Sequence, residues 1–277
     1  MRREVPLRPW TLRIDRWETG NLYEPYVGRW SRLVARELLA WLQASPNLDW
    51  LDVGCGTGAL TETILRQAEP RSVQGIDPAA EFIEHARAHI TDPRATFEVG
   101  DAQSLPVESP RFGAAVSGLV LNFVPKPLLA AREMARAVRP GGVVAAYVWD
   151  YAGKMELMRY FWDAAVALDP AASEADEGVR FPLCKPDALI YLFTQAGLRE
   201  VQGRPIDART KFRDFDDYWA PFLGGQAPAP AYAMSLSEER RAALRERIRA
   251  ALPIARDGSI ELIARAWAVR GRTGGSA

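Results

Sequence analysis

The 277-residue sequence contains few of the residues that build disulfide frameworks and metal centres. It has two cysteines, Cys55 and Cys184, and two histidines, His85 and His89. Two distant cysteines supply neither a disulfide scaffold nor a cysteine-rich zinc site, so we expect unpaired thiols in a reducing compartment. The histidines are spaced one helical turn apart and could bind a metal or act as a base, but the pattern favours a solvated surface pair. The sequence therefore predicts no metal site.

Net charge and long apolar segments are also missing. Thirty-five basic residues balance thirty-five acidic ones, so no global field attracts nucleic acid or an anionic membrane. No stretch approaches the ~20 apolar residues that span a bilayer, and the charged N-terminal segment lacks the apolar centre of a signal peptide. Since 48% of the residues are hydrophobic, the chain can bury a core. We expect a globular, cytoplasmic protein that binds neither nucleic acid nor membranes.

The hydrophobic pattern predicts an α/β fold. Short apolar strands alternate with helical segments over residues 49–150, which is typical of a doubly wound parallel sheet with helices on both faces. A helix is expected before this core, over residues 26–44, and a later helix has a candidate capping box at Ser235 and Glu238. The remaining predicted elements are helices over 155–168 and 187–196, a strand near 198–203, a helical segment within 207–253 and a last strand in DGSIELIARAWAVRG.

The most informative local motif is the glycine turn in WLDVGCGTGAL, residues 50–60. Gly54, Gly56 and Ala59 satisfy the dinucleotide pattern G-x-G-x-x-G/A, whereas Gly54, Gly56 and Gly58 satisfy a tighter G-x-G-x-G typical of another ligand class. Glycines let backbone N–H groups approach a ligand closely. The turn alone leaves both ligand classes open.

Two acidic loops follow the next strands, at the sheet edge where such folds bind ligands. Asp77 ends the strand SVQGID, and its carboxylate can accept both hydroxyls of a ribose. Asp101 and Ala102 follow the strand ATFEVG, where a carboxylate can accept from the exocyclic amine of adenine. A nicotinamide dinucleotide fold does not need this last group. The run RPGG, residues 139–142, adds a helix stop and a turn into the fifth strand.

In this order the motifs resemble those of class I S-adenosylmethionine-dependent methyltransferases, of the small-molecule, methyltransferase type 11-like group. The resemblance covers the core well and the flanking segments poorly. It implies a seven-stranded, mostly parallel, doubly wound Rossmann-like sheet with an antiparallel last strand, a helical cap, and S-adenosylmethionine as cofactor. Many relatives read Phe-Asp where this chain has Phe112-Gly113, a departure that affects the rigidity of the loop more than its function. The segments that carry the resemblance are residues 51–60, 75–88, 99–106, 112–124 and 139–149.

The resemblance also implies roles for individual residues. The three glycines of the tighter pattern line the methionyl and ribose portions, Asp52 orients the turn and reaches the methionyl amine through water, and Asp77 binds the ribose. Tyr23 and Arg29 could reach the cofactor's carboxylate, with a structural ion pair as the alternative. The expected cofactor-binding residues are Tyr23, Arg29, Asp52, Gly54, Gly56, Gly58, Asp77, Pro78, Asp101, Ala102, Ser117 and Leu119.

Three residues are candidates for the catalytic step. Asn122 occupies the position where relatives often place a histidine that faces the acceptor, so it could hydrogen-bond the substrate or simply cap a turn. Asp150 and Tyr151 end the fifth strand at the ligand edge, where they could act as base or cap the following helix. Aromatic residues are dense on both sides of the core, and they could line an apolar acceptor pocket or form a core of their own.

The sequence thus predicts an N-terminal helical cap over 1–45, a core over 46–206 and 257–272, and a substrate-binding insertion over 207–256. The expected activity is methyl transfer from S-adenosylmethionine to an oxygen, nitrogen or carbon of a small molecule, by in-line displacement and without a metal, in a monomer or homodimer. The alternatives are a binding protein that holds the cofactor without transferring methyl, an NAD(P)-dependent oxidoreductase, and a methyltransferase acting on macromolecules.

Overall fold

A computed structural model of the protein describes residues 29–224 and 227–274. Contacts divide these residues into two compact units. One, called here the sheet unit, contains residues 30–149, 183–207 and 266–274. The other, called the aromatic unit, contains residue 29, residues 150–182 and the described part of 208–265.

Helices and strands alternate through most of the described chain. In chain order the elements are α1 (Arg29–Leu42), β1 (Asp49–Val53), α2 (Ala59–Gln67), β2 (Ser72–Asp77), α3 (Ala80–His89), β3 (Ala95–Val99), β4 (Phe112–Gly118), α4 (Pro127–Ala137), β5 (Val138–Trp149), α5 (Glu156–Leu168), α6 (Glu177–Arg180), α7 (Pro186–Gln195), β6 (Arg199–Phe212), α8 (Phe215–Trp219), α9 (Pro228–Ser235), α10 (Glu238–Ala251) and β7 (Ile260–Arg272).

Seven strands form one sheet in the order β3-β2-β1-β4-β5-β7-β6. Strand β1 pairs in parallel with β2 and β4, and the pairs β2–β3 and β4–β5 are also parallel. Strands β5 and β7 pair antiparallel. The order confirms the predicted doubly wound, seven-stranded, mostly parallel sheet, with the final strand antiparallel.

Burial follows the sequence pattern in the sheet unit. All five residues of β1 are buried, as expected for a central parallel strand whose two faces are both covered. In α1 the residues Trp30, Val34, Leu38 and Leu42 recur at helical spacing and are buried, while much of the rest of the helix is exposed. This apolar stripe is what anchors the helix.

The RPGG run follows the end of α4 at Ala137, as the predicted helix stop requires, and lies at a register irregularity within β5. Val138 pairs with Phe112, and the next pair joins Val143 to Ala114. The four residues 139–142 therefore lie opposite the single residue Gly113, which makes three extra residues on the β5 side. The unusual glycine at position 113 also has a packing reason. A Cβ there would lie 2.8 Å from Cδ2 of Leu48, so an aspartate would require Leu48 to move.

The aromatic unit is held by ring packing. The ring of Phe161 stacks on Phe222 at 4.6 Å and meets Tyr232 edge-on at 6.2 Å. The Tyr218 hydroxyl donates to the Leu157 carbonyl at 2.8 Å, which satisfies the polar end of a fully buried ring. These described aromatic residues, predicted as either pocket or core, are buried core residues of their unit.

Two local predictions are wrong. The cap of α10 is Ser237, whose hydroxyl accepts from the Arg240 N–H at 3.3 Å; Ser235 instead ends α9 and donates to the Tyr232 carbonyl. Strand β6 continues to Phe212 instead of ending near residue 203, because every second residue from 206 to 212 is buried and the period-two pattern persists.

Candidate functional site

The glycine turn connects β1 to α2, and its three glycines adopt left-handed backbone angles. Their φ values are 74° at Gly54, 53° at Gly56 and 93° at Gly58, a region that residues with a Cβ enter only at a cost. The N–H groups of Gly54 and Cys55 both donate to the Ile76 carbonyl, at 2.7 and 3.1 Å. The turn is therefore fixed to the end of β2.

The three glycines differ in what surrounds them. A Cβ on Gly54 would lie 2.5 Å from Cγ1 of Val120, and one on Gly58 would collide with Ile90. A Cβ on Gly56 would meet no atom of the described chain within 4 Å. At Gly54 and Gly58 protein side chains already fill the space for a Cβ, whereas Gly56 presents bare backbone to open space that a ligand can occupy.

Asp77 lies at the end of β2, beside this open position. Its Oδ2 accepts from the Gly56 N–H at 3.0 Å and its Oδ1 accepts from the Ala79 N–H at 2.9 Å. Burial raises the pKa of this carboxyl, and the two backbone hydrogen bonds oppose that rise. Each oxygen keeps a lone pair for an outside donor. Pro78, the other predicted residue of this loop, is exposed.

Asp52 lies on β1 and is completely buried. The Thr61 hydroxyl donates to its Oδ2 at 2.7 Å, while Oδ1 has no hydrogen-bond partner among the residues that the structure describes. Burial raises the pKa of this carboxyl to about 7, and the nearby charge of Asp77 adds to the rise. A buried acceptor without a donor is unfavourable unless a ligand supplies one. Thr61 was not predicted from the sequence.

The loop after β3 is held by side chains that the sequence analysis did not identify. The exposed carboxylate of Asp101 accepts from the backbone N–H and the side-chain amide of Gln103, at 2.8 and 3.1 Å. The Gln103 Oε1 in turn accepts from the Lys126 N–H at 3.1 Å, and the neighbouring Ala102 is buried. The Glu133 carboxylate accepts from the Leu105 N–H at 3.0 Å, which ties this loop to α4.

Backbone strain marks the end of β4. Leu119 has a φ of 63°, which is uncommon for a branched residue and is often found at functional sites. Its N–H donates to the Tyr147 carbonyl at 2.8 Å, and a Cβ on Gly118 would lie 2.5 Å from the Tyr147 hydroxyl oxygen. Ser117, one residue earlier, is fully buried, and its hydroxyl has no partner among the described residues.

The three candidate catalytic residues occupy different surroundings. Asn122 is half-buried in the loop after β4, and its Nδ2 is buried without a hydrogen-bond partner among the described residues. The Asp150 carboxylate accepts from the Lys154 N–H at 2.9 Å, within the turn before α5. Met155 is the N-cap residue of α5 and no side chain caps that helix, so the predicted helix-cap role of Asp150 is wrong. Tyr151 is buried with its ring 5.7 Å from that of Phe181. Catalytic roles for Asp150 and Tyr151 stay predictions.

The remaining predicted residues divide into described and undescribed ones. Tyr23 and the side chain of Arg29 lie outside the described part of the chain. His85 and His89 are exposed, with rings stacked at 3.9 Å, as expected of a surface pair. Cys55 packs in an apolar cluster with Ile83, Ala86 and Phe97, and burial raises the pKa of its thiol. It fills space inside the turn.

Residues 29–224 and 227–274 contain neither a metal-binding cluster nor a membrane-spanning helix. No group of three or more histidine, cysteine, aspartate or glutamate side chains there could hold a metal ion. None of the described helices combines the length and the apolar character needed to cross a membrane.

The motif-bearing part of the sheet unit matches a known family. A family model described as "Methyltransferase domain" matches residues 51–146. An uncharacterized 37.1 kDa protein in transposon TN4556 of Streptomyces fradiae is 36% identical over 117 residues, covering 41% of this chain and 34% of that protein. A trans-aconitate 2-methyltransferase from Deinococcus radiodurans is 36% identical over 115 residues, covering 41% of this chain and 43% of that protein. The chain thus spans less than half the length of these relatives.

A solved structure extends the likeness of fold beyond the matched segment. The YcgJ protein from Bacillus subtilis superposes with a TM-score of 0.56 at 16% identity, covering 88% of this chain and 100% of that one. Together with the family match, this confirms the methyltransferase resemblance and the Rossmann-like fold that were inferred from the motifs. S-adenosylmethionine is the cofactor of this family.

Proposed function

We propose, on the premise that residues 51–146 form a class I S-adenosylmethionine-dependent methyltransferase domain, that this chain transfers a methyl group to a small-molecule acceptor by in-line displacement. The observation that carries the proposal is the open space over Gly56 beside two acidic side chains, Asp52 and Asp77. A ligand with hydroxyls and an amine matches these groups, since carboxylates accept from both kinds of donor.

The residues present fit the cofactor. The bare backbone at Gly56 admits it closely, and Asp77 has free lone pairs for the ribose hydroxyls. The Oδ1 of Asp52, which has no partner in the described part of the chain, accepts from the methionyl amine, directly or through water. Asp101 and Ala102 provide an acceptor and an apolar surface for adenine. When bound, the cofactor supplies a methyl group on a positively charged sulfur, and the protein aligns the acceptor with it and excludes water.

The small-molecule acceptor is supported by the names of relatives and by charge. The relative from Deinococcus radiodurans is named for trans-aconitate, and the balanced charge of this chain offers nucleic acid no net attraction. We also propose that the protein is cytoplasmic and that it is a monomer or a homodimer. We propose that residues 207–256 form the substrate-binding insertion. Asp150 and Tyr151 are the candidates for contact with the acceptor.

Calorimetric titration with S-adenosylmethionine and with S-adenosylhomocysteine tests the cofactor half of the proposal. We expect both to bind, and binding by neither would contradict it. The matched variants are Gly56→Ala and Gly141→Ala. Both glycines have a positive φ, of 53° and 76°, and open space at the Cβ position, so both variants carry the same backbone cost of about 1 kcal/mol. Only Gly56→Ala should weaken cofactor binding, by about tenfold or more.

Transfer itself is tested by incubating the full chain with methyl-labelled cofactor and a panel of phenols, amines and carboxylic acids. Label in any of these products supports the proposal. Cofactor binding without transfer to any acceptor would favour the alternative, a protein that binds the cofactor without transferring methyl. Reduction of a substrate by NADH or NADPH would favour the oxidoreductase alternative instead.

A further inference from the structure

We propose that the acceptor presents a carboxylate to the loop after β4, that Asn122 donates a hydrogen bond to it, and that the product is a methyl ester. This inference rests on the proposed function and names the acceptor class for the same site. Its structural basis is the amide nitrogen of Asn122, which is buried and has no hydrogen-bond partner within residues 29–224 and 227–274, in a loop without ionisable side chains.

The first observation is the state of the Asn122 side chain. Its Nδ2 is buried and finds no acceptor among the described residues. An amide NH₂ group has two hydrogens to donate and no lone pair to offer, so the partner it requires is an oxygen or another acceptor atom. A buried donor left without a partner is costly. A carboxylate is a strong match, because hydrogen bonds to a charged acceptor are stronger than those to a neutral one.

The second observation is that the loop is fixed beside the glycine turn. The Phe123 N–H donates to the Val120 carbonyl at 2.8 Å, and Leu121 is fully buried. Val120 fills the space that a Cβ on Gly54 would occupy. Asn122 therefore lies on an ordered turn whose neighbour, two residues earlier, contacts the proposed cofactor site.

The third observation is the chemical character of this loop. Residues 117–125, SGLVLNFVP, contain no ionisable side chain. The loop therefore provides neither a base to deprotonate an acceptor nor a negative charge to hold an ammonium group. The carboxylate that lies next to it by strand register is Asp52, which is paired with Val116. Asp52, Asp77 and Asp101 are all proposed above to hold the cofactor.

A carboxylate acceptor suits a site of this kind because it needs no base. Its pKa of about 4 keeps it ionised at neutral pH. One carboxylate oxygen forms a bond to the methyl carbon while the bond from that carbon to sulfur breaks and its electron pair stays on sulfur. The anion and the sulfonium become a neutral ester and a neutral thioether, and no proton is released.

The test uses the full chain with methyl-labelled S-adenosylmethionine and two acceptor sources, a small-molecule cell extract and a panel of dicarboxylic acids, phenols and amines. Mild alkali hydrolyses methyl esters and releases the label as volatile methanol, whereas methyl groups on nitrogen, carbon or ether oxygen stay in the product. We expect alkali-labile label. Alkali-stable label alone would overturn the inference while leaving the proposed function intact, and absence of any labelled product would contradict both.

Variants of Asn122 test the hydrogen bond. Asn122→Ala should lower kcat/KM for the carboxylate acceptor about 10- to 100-fold, the usual range for a hydrogen bond to a charged group, while the calorimetric Kd for the cofactor stays unchanged. Asn122→Asp should lower it further, because it places like charges together. The matched control is Gln195→Ala, which removes an exposed amide of the same unit and should leave kcat/KM unchanged.

A pH profile separates the acceptor classes independently. At saturating cofactor, transfer to a carboxylate should be constant from about pH 6 to 9, because the acceptor is ionised throughout. A rate that rises across this range would indicate an amine or phenol that must lose a proton and would overturn the inference. An unchanged kcat/KM in Asn122→Ala, with ester as the product, would overturn the role of Asn122.

Discussion

Asp52 in the sheet unit and Glu177 in the aromatic unit are both completely buried carboxyls, and burial raises the pKa of each to about 7. Their surroundings are different. Glu177 accepts from the Trp162 indole N–H at 2.5 Å, beside the paired charges of Asp176 and Arg159. Asp52 keeps one oxygen without a described partner, next to a turn that is open at Gly56. The raised pKa alone therefore does not identify a ligand site, whereas the unpartnered oxygen beside open space does.

Removing the ion pair of the aromatic unit should give the largest effect and separate stability from binding. Arg159 donates to both oxygens of the buried Asp176, at 2.9 and 3.0 Å. Arg159→Ala leaves that carboxylate buried without its cation, which should cost about 3 kcal/mol of unfolding free energy. Chemical denaturation measures this loss, and calorimetry should show an unchanged cofactor Kd under native conditions. A large change in that Kd would show that this ion pair contributes to cofactor binding and not only to stability.

The opposite outcome is expected at the sheet edge. Asp77→Asn keeps the shape of the side chain but removes a charged acceptor, so the cofactor Kd should rise about 30-fold. It also replaces one of the two oxygens that accept from the Gly56 and Ala79 N–H groups, so the free energy of unfolding should fall by about 1 kcal/mol. The measurement is calorimetric titration. Asp92→Asn is the control, because Asp92 is a carboxylate of the same unit that pairs with Arg94 at 2.7 Å; an equal loss of affinity there would remove the assignment of Asp77.

Asp52 should make cofactor binding depend on pH. The proposed ligand amine binds the ionised carboxylate, and the pKa of about 7 leaves it protonated below that pH. Affinity should therefore rise from pH 5 to pH 7, by up to about tenfold per pH unit. Asp52→Asn should flatten this profile, and Glu177→Gln should leave it as it is. A flat profile in the unmodified chain would contradict the role of Asp52.

The smallest expected effect concerns the stability contribution of Glu177. Its pKa is raised from 4.5 to about 7 in the folded state, so the folded chain binds more protons than the unfolded chain between these values. The contribution of this group to stability is therefore present at low pH and is lost as the pH rises to about 7. At pH 8 the free energy of unfolding of Glu177→Gln should exceed that of the parent by about 1 kcal/mol, and at about pH 4 the two should be equal. Chemical denaturation at both pH values measures the difference.

Sequence reasoning predicted the parts of the site that depend on local patterns. The glycine turn and the position of Asp77 follow from hydrophobic periodicity and from three glycines at alternate positions. These two features require only the chain near each residue and the general rule that ligands bind at the carboxyl ends of parallel strands. The antiparallel last strand was implied by the family resemblance.

The features that were missed depend on contacts between distant segments. Thr61 was not assigned because its bond to Asp52 depends on how α2 begins after the turn. Gln103 binds Lys126, which lies 23 positions further along the chain, and no local pattern indicates this contact. The cap of α10 was misassigned because Ser235 and Ser237 are equally good caps by residue type, and α9 ends at the first of them.

Position 113 shows how the packing of the core limits the substitutions open to this lineage. Leu48 occupies the space that any side chain at 113 would enter. An aspartate at position 113 requires the Leu48 side chain to shift or to become smaller, because its Cβ would lie 2.8 Å from Cδ2 of Leu48. We expect the two positions to have changed together during descent, so that chains with aspartate at 113 carry a smaller residue at 48.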